Sequence, residues 1–287
     1  MILSFHPIIS GDENIICAGR PPGSEEKAAI RRASAIILPQ GVREDLYRLC
    51  RSTCDRVWPN FDSRFNFPGK IGQALLLARH DVPRPRTVVY PSVRDFHADS
   101  GVWPRPFLLK SNGGGEGQGV FPVHDREDET RSLELFRQLE KLGRGGFVRQ
   151  ELIDHGGRDL RVIVIGEQLI AYWRWAPSDQ AILTNVAVGG RVDFESDPEL
   201  MKLGSTAVRD FAARTDINLA AFDLLFDRHA QDLTPLFIEI NYFFGRHALG
   251  GTKAYYRLLQ RAAHRWLKRH GLKRGPIRSR PRFSDRD

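Results

Sequence analysis

Two stretches decide how this chain is read: Ala221-Phe222-Asp223-Leu224-Leu225-Phe226 and Leu236-Phe237-Ile238-Glu239-Ile240-Asn241. Both alternate, and in a β-strand successive side chains point to opposite faces. Phe222, Leu224, Phe226, Leu236, Ile238 and Ile240 are expected on one apolar face, with Asp223, Glu239 and Asn241 on the other. A hairpin turning near residues 230–231 sets Asp223 within about one residue of facing Glu239. Three oxygen donors then converge on one patch. Carboxylates that close need a counter-charge, and hard oxygen donors suit Mg²⁺. The same residues also fit the solvent-facing side of an ordinary hairpin, so the patch gains meaning only from its company.

That company lies upstream. Lys110 ends an expected strand, and the loop after it carries Gly113, Gly114, Gly115, Gly117 and Gly119. Glycine lets backbone N–H groups approach phosphate oxygens and lets a loop move. The spacing is neither the phosphate loop ending in Gly-Lys-Ser/Thr nor a dinucleotide fingerprint, since no helix follows. Alone, it reads equally as a flexible turn. Lys70 opens an expected helix, where a lysine opposes the macrodipole, so no structural motive for it is evident. Gln150-Glu151-Leu152-Ile153 leaves a strand whose edge backbone is placed to read an adenine. Asp159 and Arg161 share one face of the next strand, and Arg174 ends the one after. Arginines on the polar face of a central sheet need an anion, either a phosphate group or a local carboxylate.

The periodicity predicts an alternating α/β start: strands at 1–5, 15–18 and 35–38, with helices at 25–32 and 42–54. A loop at 59–68 leads to a helix at 69–80, with Ile71, Leu75 and Leu76 on one face. Strands at 86–90, 106–110, 120–123 and 147–152 around a helix at 128–142 form a small α+β lobe. Longer strands at 160–165 and 168–175 follow, then a helix at 197–215, strands at 219–226 and 236–241, and a closing helix at 251–270.

The 287 residues are 41% apolar, enough for a sizeable core, and no run approaches a membrane span or a signal peptide. Cys17, Cys50 and Cys54 read as free thiols of a reducing cytoplasm. The net charge of +8 is local: residues 257–287 hold eleven Lys/Arg against two Asp, and the other 256 residues hold 32 Lys/Arg against 33 Asp/Glu. A neutral body argues against nucleic-acid binding as the main task, while the basic end fits either solvent or an anionic partner.

The ordered set Lys70, Lys110 with its glycine loop, Gln150-Glu151, Asp159-x-Arg161, Arg174, Asn185, Asp223 and Glu239-x-Asn241 resembles the ATP-grasp superfamily over about residues 66–250. The most similar branch holds glutathione synthetase and the RimK-like glutamate ligases of ribosomal proteins. The resemblance implies an α/β fold with α+β lobes: a pre-ATP-grasp domain at 1–65, an ATP-grasp domain at 66–270 and a basic tail at 271–287. Within the second, a lid lobe takes 86–150 and a metal-binding lobe 151–270.

The resemblance also implies roles. Lys70 and Lys110 contact ATP phosphates under a lid made by Gly113, Gly114, Gly115, Gly117 and Gly119. Gln150 and Glu151 lead into the hinge strand, and Glu151, Leu152 and Ile153 lie against adenine. Asp159 lies near the ribose. Asp223, Glu239 and Asn241 hold two Mg²⁺ ions, Mn²⁺ being the alternative, with Asn185 alongside. Arg161 and Arg174 neutralise the transferring phosphoryl group, and Arg246 holds the substrate carboxylate. The implied reaction joins a small-molecule or peptide carboxylate to an amine in the cytoplasm, with a homodimer left open. A small-molecule kinase and a non-catalytic ATP-binding or nucleic-acid-associated module are the rival readings. Two departures from the glutamate-ligase branch stand out: Leu183 replaces a basic residue, so one phosphate contact is expected from elsewhere or not at all, and Tyr242-Phe243-Phe244 replaces a small residue and a proline, so the acceptor pocket is expected to differ.

Overall fold

The computed structural model describes residues 1–113, 119–177 and 190–272. They fall into two compact units. The first takes Met1–Phe61, Ile165–Gln168 and the described residues from Gly245 on, and the second takes Asp62–Val164 and Leu169–Phe244.

In the first unit, β1 (Ile2–Ser4), β2 (Glu13–Asn14), α1 (Ser24–Arg32), β3 (Ala35–Ile37), α2 (Glu44–Thr53) and β4 (Val57–Trp58) build a parallel sheet of order β2-β1-β3-β4. Parallel strands need crossovers and are buried on both faces. Accordingly Ile2, Leu3, Ala35, Ile36 and Ile37 are buried. Glu26 stabilises the start of α1 by accepting the Gly23 N–H at 2.7 Å, one half of a capping box. The strand expected at 15–18 is not there; pairing stops at Asn14, and Ala18 turns the chain with φ of 48°. All three cysteines are buried and free.

The second unit begins with α3 (Asp62–Asn66), inside the segment expected as loop, and α4 (Gly69–Arg79). Then β5 (Thr87–Tyr90), α5 (Val93–Ala98), β6 (Phe107–Ser111), β7 (Val120–Val123), α6 (Arg126–Lys141) and β8 (Phe147–Glu151) form an antiparallel sheet of order β5-β8-β6-β7 with its helices. Its core stacks Phe136 on Phe147 at 4.5 Å. The helix α5, unforeseen in the sequence reading, is one short turn capped by Ser92, whose Oγ accepts the Asp95 N–H at 3.2 Å.

The remaining elements are β9 (Arg158–Ile165), β10 (Gln168–Trp175), β11 (Arg191–Asp193), α7 (Pro198–Thr215), β12 (Leu219–Leu225) and β13 (Leu236–Asn241), with sheet order β11-β10-β9-β12-β13. The chain's last described helix, α8 (Gly251–Arg269), belongs to the first unit. Among the described residues, no helix is long and apolar enough to cross a membrane.

The hairpin of β12 and β13 departs from simple alternation. Asp223 faces Glu239, but Leu224 faces Phe237, so the register shifts and Ile238 is the extra residue of a bulge. Phe222, Leu224, Phe237 and Ile240 therefore share the core face, and Leu236 moves with Leu225 to the other. The expected placement of Leu236 and Ile238 on the core face is corrected by this one inserted residue. The α4 face is corrected too. Gly72, Leu76 and Leu77 are buried while Leu75 is 50% exposed.

Gly72 explains the close packing of α4. A Cβ there would sit 2.1 Å from the carbonyl carbon of Phe67. Gly72→Ala is expected to cost about 1–3 kcal/mol through overpacking, read as a lower Tm. Gly41→Ala meets nothing within 4 Å and serves as the reference. Equal melting temperatures for the two variants would refute the packing account.

Candidate active site

Two clusters stand in the second unit, and β13 contributes to both. In the first, Lys70, Gln73, Lys110, Gln150 and Glu239 line one pocket with Ala74, Leu77, Arg84, Thr87, Val148, Phe237 and Ile238. Lys70, Gln73, Ala74 and Leu77 follow the 3–4 spacing of a single helical face, so α4 turns that face to the pocket. Lys70 Nζ lies 3.9 Å from Glu239. Lys110 Nζ donates to Gln150 Oε1 at 2.6 Å. The Gln150 amide is oriented from behind: its Nε2 donates to Thr87 Oγ1 at 3.0 Å, and that hydroxyl donates to the Pro85 carbonyl at 2.8 Å. Burial strips water from Lys110 and pulls its pKa down to about 8; Lys70 pushes the same way, while Glu239 and Asp223 oppose.

Asn112, which the sequence reading passed over, ties both lysines together. Its side-chain oxygen accepts the Ile71 N–H at 3.0 Å and its carbonyl accepts the Lys70 N–H at 3.2 Å, satisfying the start of α4. The approach is tight enough that a Cβ on Gly69, where φ is +70°, would meet Asn112 at 2.4 Å. Ser111 closes the base of the glycine loop: its N–H donates to the Gly119 carbonyl at 2.9 Å and its Oγ to the Gly113 carbonyl at 2.9 Å. Gly114, Gly115, Gly117 and Asn185, with Leu183, lie outside the described residues.

The second cluster is a largely buried charged tetrad, Asp159, Arg161, Arg174 and Asp223, with Asn241 beside it. Asp223 is 2% exposed. Arg161 grips both of its oxygens at 2.7 Å, Arg174 lies 3.0 Å from Oδ2, and Asn241 Nδ2 donates to Oδ2 at 2.9 Å. Arg174 also holds Asp159, with Nε to Oδ1 at 2.7 Å and a second bond from Nη2. Burial pushes the Asp223 carboxyl up, and the two guanidinium charges outweigh it, so the net shift is down. Of the two anion sources open for Arg161 and Arg174, the structure supplies the local carboxylates. Asp159, expected near a ribose, has its carboxylate bound by Arg174 at 3% exposure. Among the described residues no three His, Cys, Asp or Glu gather.

The remaining expected residues are more dispersed. β8 is an inner strand paired on both edges, and the Glu151 N–H donates to the Arg86 carbonyl at 2.9 Å. The reading of 150–153 as an edge is corrected: strand pairing covers Gln150 and Glu151, and only Leu152 and Ile153 lie past it. Arg246 belongs to the first unit. Its guanidinium lies over Tyr255 and Tyr256 at 4.7 and 5.0 Å, and it donates to the Tyr256 hydroxyl at 3.3 Å. Gln73 is the main omission. Its Nε2 donates to the Ile240 carbonyl at 2.8 Å and its Oε1 accepts the Ile240 N–H at 2.9 Å, pinning α4 to β13. Its place three residues after Lys70 was the available signal.

Solved structures share this architecture and define the class. A RimK domain protein of ATP-grasp type from Sphaerobacter thermophilus matches with a TM-score of 0.61 at 15% identity, covering 91% of this chain and 98% of that one. The D-alanine–D-alanine ligase of Bacillus anthracis matches with 0.56 at 12% identity, covering 89% and 84%. These show an ATP-grasp fold. The chain belongs to the RimK-like ATP-grasp domain family, whose model matches residues 69–252. A probable alpha-L-glutamate ligase of Legionella pneumophila is 27% identical over 178 residues, 60% of this chain and 54% of that protein. A probable alpha-L-glutamate ligase 1 of Hahella chejuensis is 31% identical over 176 residues, covering 60% and 54%. The chain thus spans about half the length of these curated relatives.

The folded chain releases the Lys110 proton near pH 8, whereas the unfolded chain holds it to the ordinary value of 10.5. Between those values the unfolded chain binds more protons, so this group's contribution to stability rises with pH. Lys110→Met is expected to raise the Tm of the ligand-free protein at pH 7, with the gap narrowing from pH 8 to 10.5. A gap independent of pH would count against a desolvated lysine. Gln73→Ala strands both polar groups of Ile240 and is expected to cost about 1–3 kcal/mol in urea unfolding. A midpoint unchanged from the parent would deny the pin.

Proposed function

We propose that this chain is an ATP-dependent carboxylate–amine ligase that forms an amide through an acyl-phosphate. One observation carries the reading: Lys70, Lys110 and Glu239 line a single pocket, and Glu239 is in register with Asp223. Cations for phosphate oxygens and oxygen donors for a hard metal thus come from α4, β6, β12 and β13 of one unit.

In this reading Lys70 and Lys110 take the phosphates of ATP, and the arriving anion offsets the cost of desolvating Lys110. We assign the lid to a lobe at 86–150, whose sequence holds the glycines of 113–119, and the metal to a lobe at 151–270. The donor set fits Mg²⁺ in type, since Asp223, Glu239 and Asn241 carry hard oxygens on one face, and the Asp223 oxygens would open to the ion only where Arg161 or Arg174 gives way. When bound, Mg²⁺ would screen the charge that develops between the β- and γ-phosphates. Arg161 and Arg174 hold Asp223 in place, and they reach a phosphoryl group only by releasing it. A substrate carboxylate oxygen attacks the γ-phosphorus and ADP leaves. The amine nitrogen then attacks the acyl carbon, phosphate leaves, and the nitrogen gives up its proton to solvent. Arg246 is our choice for the substrate carboxylate. The names of the relatives make glutamate the first carboxylate to test, with an amino acid or peptide amine as acceptor.

The test is ADP release from Mg²⁺-ATP across pools of amino acids and short peptides, with products read by mass spectrometry. An amide product that is lost in Glu239→Gln is expected. ADP formed with a phosphorylated acceptor and no amide would make the protein a kinase, and ATP binding without ADP from any pool would make it a binder. Glu239 is the informative position because it is only half-buried. Asp223→Asn should also lower the Tm, because it removes the charge that two buried arginines share.

A further inference from the structure

We propose that the exposed face of α8 is a docking surface for single-stranded nucleic acid. The sequence of α8 contains no Asp or Glu. Lys253, Arg257, Arg261, Arg265 and Lys268 are all exposed, and their spacing of three or four places them in one stripe. The stripe is roughly 22 Å long at the rise of an α-helix. Among the described residues, none of these five cations has a carboxylate within ion-pair distance; Arg269, which pairs with Glu167, is off the stripe. Like charges at this spacing repel, and of the five only Lys268, in the last turn, complements the helix dipole. The opposite face, with Tyr255, Leu259, Ala262, Ala263 and Leu267, is buried in the unit's core. The helix therefore has no apolar face left to lay into a lipid surface.

A partner has to bring regularly repeated negative charge. Nucleic acid does so with one phosphate per nucleotide. Three of the five cations are arginines, whose planar fork matches phosphate oxygens better than an ammonium does. Half-exposed Trp266 packs against the exposed ring of His270 at 4.6 Å near the end of the stripe, giving unpaired bases a surface to stack on. In sequence the basic character continues: residues 273–287 add Lys273, Arg274, Arg278, Arg280, Arg282 and Arg286 against Asp285 and Asp287. This surface is independent of the ligase reading, and neither stands or falls with the other.

The experiment is fluorescence anisotropy of a labelled oligouridine with the full chain over a range of salt concentrations. Replacing Arg257, Arg261 and Arg265 together by glutamine should weaken binding at least about tenfold and reduce the slope of log K against log salt by about 2. ADP release should be unchanged. Should the triple variant melt early, the pair Lys253→Gln and Lys268→Gln reads the same stripe from its ends. Affinity and slope equal to the parent in both variants would overturn the proposal. So would polyglutamate that displaces the oligouridine at lower charge concentration, which would make the partner an acidic polypeptide. Binding to phosphatidylglycerol vesicles by a chain that ignores the oligouridine would overturn it as well.

Discussion

The five-stranded sheet of the second unit depends on one carboxylate that is almost wholly buried. Asp223 lies within β12, flanked by the fully buried Phe222 and Leu224, and a lone ion there is untenable. It stays charged because Arg161 of β9 and Arg174 of β10 share it, and Arg174 in turn is shared with Asp159. Asn241 of β13 adds a neutral donor to the same oxygen as Arg174. Two arginines and two aspartates cancel, so the cluster is locally neutral and ties four strands together. Buried pairs of this kind contribute little net stability, but they penalise any register that separates them. A slip of one residue in β12 would turn Asp223 to the core and Phe222 out of it.

The bulge reconciles two demands on β13. The polar face needs Glu239 and Asn241 beside Asp223, while the core needs a large ring behind Leu224. With uninterrupted pairing the residue opposite Leu224 would be Ile238. The extra residue hands that place to Phe237, which is 1% exposed and packs on Phe211 and Phe222 at 5.3 and 6.3 Å. Ile238 is left half-buried in the pocket wall next to Glu239. A single inserted residue thus fills the core and aims a carboxylate, a use of bulges seen where a side chain must be redirected.

Long periodic segments were legible in the sequence because their patterns repeat often enough to be unambiguous. The strands at 168–175 and 236–241 were read with the bounds the structure shows. Two-residue strands such as β2 and β4 carry no periodicity, and they form because neighbours in a parallel sheet supply their partners. The bulge was invisible because alternation reads as unbroken whichever residue is the extra one. On α4, hydrophobicity pointed to Leu75, yet contact goes through Gly72, which is apolar only in the sense of being absent. The arginines were legible as needing an anion, but no spacing rule says whether that anion is a phosphate or an aspartate two strands away.

The contrast between the two clusters is itself an argument about the site. The tetrad balances its own charge. Among the described residues, the pocket's lining holds three cations, Lys70, Arg84 and Lys110, and one acid, Glu239. A fold has no use for bringing a second lysine toward a lysine whose charge burial already disfavours. Lys110 is nevertheless held there by a relay of Gln150, Thr87 and the Pro85 carbonyl, and Lys70 is held by Asn112 and the start of α4. Structure spent on keeping two cations together against their repulsion is preorganisation for a ligand carrying several negative charges. Under the ligase reading we propose, that ligand is the polyphosphate of ATP, and Glu239 is a residue that would help hold its metal ion.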